Sequence, residues 1–454
     1  MALSDPLSLE PLDAPLSALI DHARAAGADA ADALGLYGRS ASITVRGGEL
    51  EDIDNSEGFD IGLRVMVGQR QACVSSSDLS SGAIQRLAER AVAMAKLAPE
   101  DPYCGLAPDA RLSLRRDADG LDLFDPTEMQ PAELKARALD VEAAALAVPG
   151  VRQAEGASAS MSWSAVRLRT SAGFDGGYAA SRHGLSVSAV AERDGAMERD
   201  YDFDGTRWFS DLRSAEDIGR HAGERAVGRL GATSMGSGAF PVIFDRRVSA
   251  SLVGALTGAI SGNAVARGVS FLKDDLGKSL FSKDIQIVED PLRRRGLSSR
   301  PFDGEGVETT LFNIIENGQL NSWLLNTSAA RQLGLETNAH GARGLSSPPG
   351  ISTSNVALLA GQNSPEALIA LAGNGLLVRE MFGPSLNPTT GDYSVGVSGF
   401  AIENGVLTHP VSEVTIAGNL RDVFASLIPG SDLRYDNDTN APSVLVEGLT
   451  IAGR

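Results

Sequence analysis

Apolar residues recur at helical spacing at Leu16, Leu19, Ile20 and Ala23, and Gly27 stands where a helix would end, so a short amphipathic helix is predicted near the start of the chain. Over residues 43–74 the pattern becomes strand-like, with a tight turn at Gly68-Gln69 and another over residues 55–58. Helical spacing returns at Ile84, Leu87, Ala88, Ala91, Val92 and Ala95, and again from Pro131 until Pro149-Gly150 ends it. Two long helices are therefore expected to cover one sheet. Strands resume over residues 153–170 and 184–192, and a third helix is predicted over 214–230. Residues 170–175 (TSAGFD) echo residues 55–60 (NSEGFD), which suggests one hairpin device used twice.

Residues 231–238 (GATSMGSG) are the most linker-like stretch and place a domain boundary there, with residues 1–235 before it and 236–454 after it. Beyond it come a short apolar strand at 241–245 and a helix over 248–261. Residues 311–325 and 400–407 both carry Glu-Asn-Gly between apolar runs, a two-residue hairpin signal at Asn317-Gly318 and Asn404-Gly405. Helical interruptions are expected at 328–333 and 365–372. The fold class is α+β: an N-terminal sheet covered by long helices, followed by a mostly antiparallel β C-terminal domain.

Composition narrows the function classes. A length of 454 residues with 43% hydrophobic content suits two or three domains with sizeable cores. The net charge of -18 argues against a nucleic-acid partner, because phosphate contacts need clustered Lys and Arg. Cys73 and Cys104 form no CxxC and no disulfide framework, which suits a reducing compartment, although the two could in principle bridge. The opening residues lack the basic start and apolar run of a signal peptide, and no apolar run approaches membrane-span length, so a cytoplasmic protein without membrane contact is expected.

Reactive groups are sparse. No GxSxG elbow occurs, since Gly396-Val397-Ser398-Gly399 has the wrong spacing. Gly277-Lys278-Ser279 resembles the end of a phosphate loop, but Leu272 stands where its first glycine is required. The five histidines, His22, His183, His221, His340 and His409, are scattered and read as ordinary surface or core residues. Asp200, Asp202, Asp204, Gly205 and Asp211 match part of a calcium loop, against which stand Arg207 at an apolar position and strand-like flanks; a solvated strand end is the competing reading. Gly254, Gly258 and Gly262 recur every four residues on one helical face, marking either close packing or a smooth groove for a peptide or partner.

The segments SGNAVARG (261–268), LFNIIENGQL (311–320), LNPTTGDYSVGVSGFAIENG (386–405) and HPVSEVTIAGNL (409–420) resemble the TldD/PmbA family, in the family's order and over a stretch running from about residue 43 to the end. The resemblance implies a heterodimeric peptidase in which the TldD subunit carries zinc on an HExxxH helix together with a late cysteine ligand. It further implies substrates that are unfolded peptides or peptide leaders, and an association with modulation of DNA gyrase. Aligned on Ser261-Gly262-Asn263, the HExxxH window falls on residues 253–258, which hold no His or Glu, and no cysteine follows Cys104. Zinc needs about three protein ligands, so the resemblance implies a TldE/PmbA-type subunit with no cofactor of its own, the zinc being held by a TldD-like partner.

Candidate peptide- or partner-binding residues are Asn263, Arg267, Thr390 and Asp392, chosen for the glycine-faced helix and the turn at 390–392, beside which an extended peptide could add to a sheet edge. Two other readings remain: a self-sufficient hydrolase using the acidic run or Ser398, and an adaptor that binds a client without proteolysis. A homodimer of the isolated chain is also compatible with the sequence.

Overall fold

The computed structural model describes residues 9 to 453; the expectation about a leader falls largely on the first eight residues, which lie outside that range. The chain opens with α1 (Glu10–Ala25), followed by β1 (Ala30–Arg46), β2 (Glu49–Val67), β3 (Arg70–Ser76) and α2 (Ser81–Leu97). After α3 (Pro131–Leu146) come β4 (Val151–Thr170), β5 (Asp175–Arg193), β6 (Ala196–Thr206) and α4 (Ala215–Gly228). The six strands form one sheet in the order β3-β2-β1-β4-β5-β6, antiparallel throughout.

Period-two alternation decides which face of this sheet is covered. Odd positions of β1 face the helices: Ala31 and Ala33 join the core under α1 and α2, while Ile43 and Val45 join the core under α3 and α4. Ser214 caps α4 by accepting from the Asp217 amide, and Gln130 N donates to Glu133 at the start of α3. Even positions point the other way. There Leu34 and Leu168 pack with Phe174 and with Phe302 from the second half of the chain.

One expected turn is absent. Residues 55–58 lie inside β2, which pairs with β1 from end to end, and the hairpin turns instead at Gly47-Gly48, both at positive φ. That half of β2 is solvent-exposed and its outer side has no strand partner among the described residues, because β3 joins only at residues 61–67. A polar edge strand therefore reads like a loop. The echo at 170–175 is a true turn, joining β4 to β5.

The second half begins with β7 (Gly238–Phe244), α5 (Arg246–Ala259), α6 (Gly262–Ala266), β8 (Ile287–Glu289), β9 (Phe312–Glu316), β10 (Gln319–Leu320), α7 (Thr327–Leu333), β11 (Gly341–Ala342), β12 (Gly350–Ile351) and β13 (Val356–Leu358). It continues with α8 (Pro365–Ala372), β14 (Gly375–Leu386), β15 (Asp392–Glu403), β16 (Val406–Asn419), α9 (Leu420–Ser426), β17 (Ile428–Pro429), β18 (Thr439–Asn440) and β19 (Val444–Ala452). Strands β16, β15, β14, β7 and β19 pair in series, and β16 also pairs with β19, closing a ring around the largest apolar core. Both predicted Asn-Gly turns form, with φ of 51° and 78° at Asn317-Gly318 and 52° and 75° at Asn404-Gly405. The fold class is α+β with mainly antiparallel sheets, β7/β14 and β13/β18 being the parallel pairs.

The two halves meet through buried charge and close backbone contact. Asp32 accepts from Arg64 Nε at 2.5 Å and from Arg343 Nε at 2.8 Å, with all three side chains almost fully buried. Burial works to raise the Asp32 pKa, but the two guanidinium groups outweigh it and hold the carboxyl below its ordinary value. Beside them Gly62 lets Leu345 approach so closely that a Cβ would sit 2.3 Å from the Leu345 carbonyl oxygen.

Candidate functional site

Helix α5 starts at Asp245, whose carboxylate accepts from the Arg247 amide, and it buries Ser249, Leu252, Val253, Leu256 and Ala259 at spacings of three and four. Its outer face carries Ser251, Gly254 and Gly258, all exposed. A Cβ on Gly254 or Gly258 would meet nothing within 4 Å among the described residues, so packing among them does not explain these glycines. Gly262 is separate from them. Helix α5 ends at Ala259, and Gly262 begins α6 with Leu325 and Ala329 pressed against it, so the expectation of one three-glycine face is corrected by the break at residues 260–261.

Strand β14 runs alongside this face, with Ser251 Oγ 3.6 Å from Met381 Sδ. It pairs with β7 only over residues 376–378, because β7 stops at Phe244 and the chain turns into α5. The last link is the Asp245 amide donating to the Val378 carbonyl at 3.0 Å. From Arg379 to the end of β14 the strand keeps β15 on one side and has no backbone partner on the other among the described residues. Phe382 stands 49% exposed there. A free strand edge beside a helix face that carries only Ser251 and two glycines leaves a groove open to an extended chain.

The four residues named from sequence lie beyond this groove in two neighbouring segments. Asn263 and Arg267 share one turn of α6, where Arg267 Nε donates to the Asn263 carbonyl at 3.0 Å and the guanidinium has no carboxylate partner among the described residues. Thr390 Oγ1 donates to Asp392 Oδ2 at 2.7 Å, and Asn419 Nδ2 bridges the Thr390 carbonyl and Asp392 Oδ1. Those bonds lower the Asp392 pKa, Thr390 contributing most and Asn419 next. Phe271 joins the segments, its amide donating to Pro388 O at 2.7 Å and its ring closing on Gly391.

The acidic run is neither a calcium loop nor a solvated strand end. Asp200 and Asp202 are buried on the helix side of β6, and each is matched by guanidinium groups: Arg247 at 2.6 Å for Asp200, Arg213 at 2.8 Å and Arg225 at 3.0 Å for Asp202. Asp204 takes the Arg213 amide at 2.8 Å, and Asp211 turns away to Arg295. Arginine supply, set by folding, satisfies these carboxylates before any cation could. Arg247 opens α5, and Arg229 contacts both Asp200 and Glu380, so the network latches β6 to the helix and strand that form the groove. Ser398, the nucleophile of the hydrolase reading, donates to Glu380 at 3.4 Å within this same network.

The residues at 253–258 do not fit a zinc ion, since Val253 is buried and apolar and Gly254 and Gly258 have no side chain. Among the described residues no three His, Cys, Asp or Glu side chains gather as a metal site. His340 is tied to Glu289 at 2.7 Å, and His183 is fully buried with Asp125 3.4 Å away. Cys73 and Cys104 are both free thiols.

Three family models match in series: PmbA/TldA metallopeptidase domain 1 over residues 31–95, the central domain over 124–230 and the C-terminal domain over 237–453. The chain belongs to the TldD/PmbA family. It is 38% identical over 417 residues to metalloprotease PmbA of Escherichia coli O157:H7, covering 91% of this chain and 90% of that one. A Haemophilus influenzae PmbA homologue is 32% identical over 416 residues, with the same coverage. Among solved structures, a Bacteroides thetaiotaomicron protein described as a candidate modulator of DNA gyrase superposes with a TM-score of 0.90 at 25% identity, covering 98% of this chain and 99% of that one. TldE from Thermococcus kodakarensis shares the fold, with a TM-score of 0.83 at 22% identity over 97% of this chain and all of the other. No helix among the described residues of this TldD/PmbA chain is long and apolar enough to cross a membrane.

Sequence reasoning missed a cavity of about 930 Å³, which lies between the even-numbered face of the first sheet and the loops at 297–300 and 352–353. None of the four named residues lines it. The available signal was the alternation of Ser158, Ser160, Ser162 and Ser164 along β4, a strand with one apolar face and one small polar face.

Proposed function

We propose that this chain is the non-catalytic, TldE/PmbA-like subunit of a cytoplasmic heterodimeric peptidase, acting with a TldD-like zinc subunit on unfolded peptides or peptide leaders. The observation that carries the reading is the α5–β14 groove: it keeps the helix-beside-free-edge form of a peptide site, while residues 253–258 supply no zinc ligand and no general base. Family membership and the PmbA relatives supply the peptidase context. In this reading the chain holds a segment of extended peptide along the free edge of β14 and presents it to the partner. Hydrolysis is left to the partner's metal.

In this reading Asn263, Arg267, Thr390 and Asp392 extend the binding surface beyond the groove, Arg267 reaching the peptide or the partner and the Thr390-Asp392 pair fixing the turn. The test is reconstitution. The purified chain alone should carry no stoichiometric zinc and cleave nothing, and adding it to an HExxxH-bearing partner should raise cleavage of an unfolded peptide. Zinc with activity in the isolated chain would overturn the proposal, and an unchanged cleavage rate would favour an adaptor. Arg267→Ala and Asp392→Ala together should weaken either cleavage or partner binding; if both are untouched, this assignment fails.

A further inference from the structure

The 930 Å³ cavity holds an arrangement that the groove does not use. Arg207 and Arg300 both line it, and neither has a carboxylate partner among the described residues, in a chain with 58 acidic residues. Arg207 donates from Nε to Gly296 O at 3.3 Å, from Nη1 to Ser181 O at 3.0 Å and from Nη2 to Leu297 O. Arg300 donates from Nη1 to Ser352 Oγ at 3.0 Å and from Nη2 to Ser352 O at 2.9 Å, while its Nε is buried without a partner. Carbonyl dipoles fix where these groups point, and buried Glu289 and Asp303 offset part of the Arg300 charge at longer range, whereas no carboxylate acts on Arg207 among the described residues, and a guanidinium taken out of water is costly until an anion joins it. Burial lowers the Arg207 pKa, and nearby Arg182 acts in the same direction.

Tyr178 stands beside both arginines, each of which counters the burial that raises its pKa. Its hydroxyl makes no hydrogen bond to the described residues. Across the sheet Tyr178 pairs with Val166, Val166 with Leu36, and Leu36 with Asp60, so these four residues form one row on the cavity face. Asp60, at the far end, is exposed and free of ion pairs among the described residues. Asp438 also lines the cavity, and its Oδ1 accepts the Thr439 amide at 2.7 Å. Three interstrand steps of about 4.8 Å separate Asp60 from Tyr178, roughly 14 Å, which is the span of about four extended residues. Between the ends the row itself carries Leu36 and Val166, and the two neighbouring rows carry Gly38 with Ser164 and Ser40 with Ser162, small residues that place little demand on sequence.

We infer that this cavity is a binding site for short zwitterionic peptides of about four residues, with the C-terminal carboxylate held by Arg300, Arg207 and the Tyr178 hydroxyl and the N-terminal amine facing Asp60. The inference rests on the reading that the chain handles peptides, and it places cleavage products, or the trimmed end of a substrate, in this chamber. Charge of opposite sign at the two ends of the row selects a peptide over an inorganic anion.

The test is calorimetric titration of the full chain with tetra-alanine, its C-terminal amide, its N-acetyl form and sodium acetate. Tetra-alanine is expected to bind at least tenfold more tightly than the amide, and Arg300→Met or Tyr178→Phe should shrink that ratio, with melting curves showing that both variants fold. Asp60→Asn should remove the preference for the free amine over the acetylated form. Equal binding of acid and amide, no binding of tetra-alanine at millimolar concentration, or acetate binding as tightly as the peptide would each overturn the inference. The two readings separate in reconstitution. Stimulated cleavage without tetra-alanine binding removes the chamber and keeps the subunit role, whereas tetra-alanine binding without stimulation does the reverse.

Discussion

Replacing Gly254 and Gly258 by alanine tests the groove from both sides. In a helix interior glycine is less favourable than alanine by about 0.8–1.0 kcal/mol, so the double variant should gain roughly 2 kcal/mol. Nothing offsets that gain, because a Cβ at either position meets no atom within 4 Å and neither residue has positive φ. For a unit of roughly 200 residues the melting temperature rises about 2–4 °C per kcal/mol, so the transition that includes α5 should move up by about 4–8 °C. The assay is paired: thermal melting of the isolated chain, then peptide cleavage with the zinc-bearing partner. Stability should rise while cleavage support falls, and Gly258→Leu should abolish that support by filling the groove. If the alanines leave melting unchanged, α5 does not present a free face. If Gly254→Leu and Gly258→Leu both leave cleavage intact, no peptide or partner uses that face.

Other outcomes follow from single contacts. Gly62→Ala should destabilise by more than about 2 kcal/mol in a denaturant titration, since its Cβ would lie 2.3 Å from Leu345 O at the junction of the two halves. The two Asn-Gly turns should respond unequally: alanine at Gly318 meets Ser282 O at 2.4 Å, whereas at Gly405 the nearest atom is Ala370 Cα at 3.2 Å, so unfolding midpoints should fall further for Gly318→Ala. Glu305 is buried and accepts the Thr327 amide, and burial first, then neighbouring Asp303, raise its pKa from 4.5 to about 7. The folded state therefore holds this proton more tightly than the unfolded chain, so its contribution is full below pH 4.5 and is lost as pH rises through about 7. Glu305→Gln should flatten stability across that window, and an unchanged slope would refute the assignment.

Much of the fold is legible in the chain because periodicity and punctuation act locally. The stripe at Ile84, Leu87, Ala88, Ala91, Val92 and Ala95 buries as α2, and Glu-Asn-Gly forms its turn twice. Residues 55–58 misled because a strand at an open sheet edge needs no apolar side chains, and its polar residues then resemble a turn. The acidic run misled for a related reason. Spacing shows where carboxylates stand along a strand but not that Arg213, Arg225, Arg229 and Arg247 arrive from other elements to neutralise them.

The sequence alone determined the helix and strand inventory, the family, and the lack of any zinc-ligand side chain at residues 253–258, since each is a property of residue identity and near spacing. Only the tertiary structure decided what those residues border. Whether Gly254 and Gly258 pack or lie open depends on where β7 stops and β14 continues, and whether Arg300 meets an acid depends on which loop folds over the first sheet. Both are long-range events. Neighbours far apart in sequence set them, and side-chain period carries no information about such neighbours.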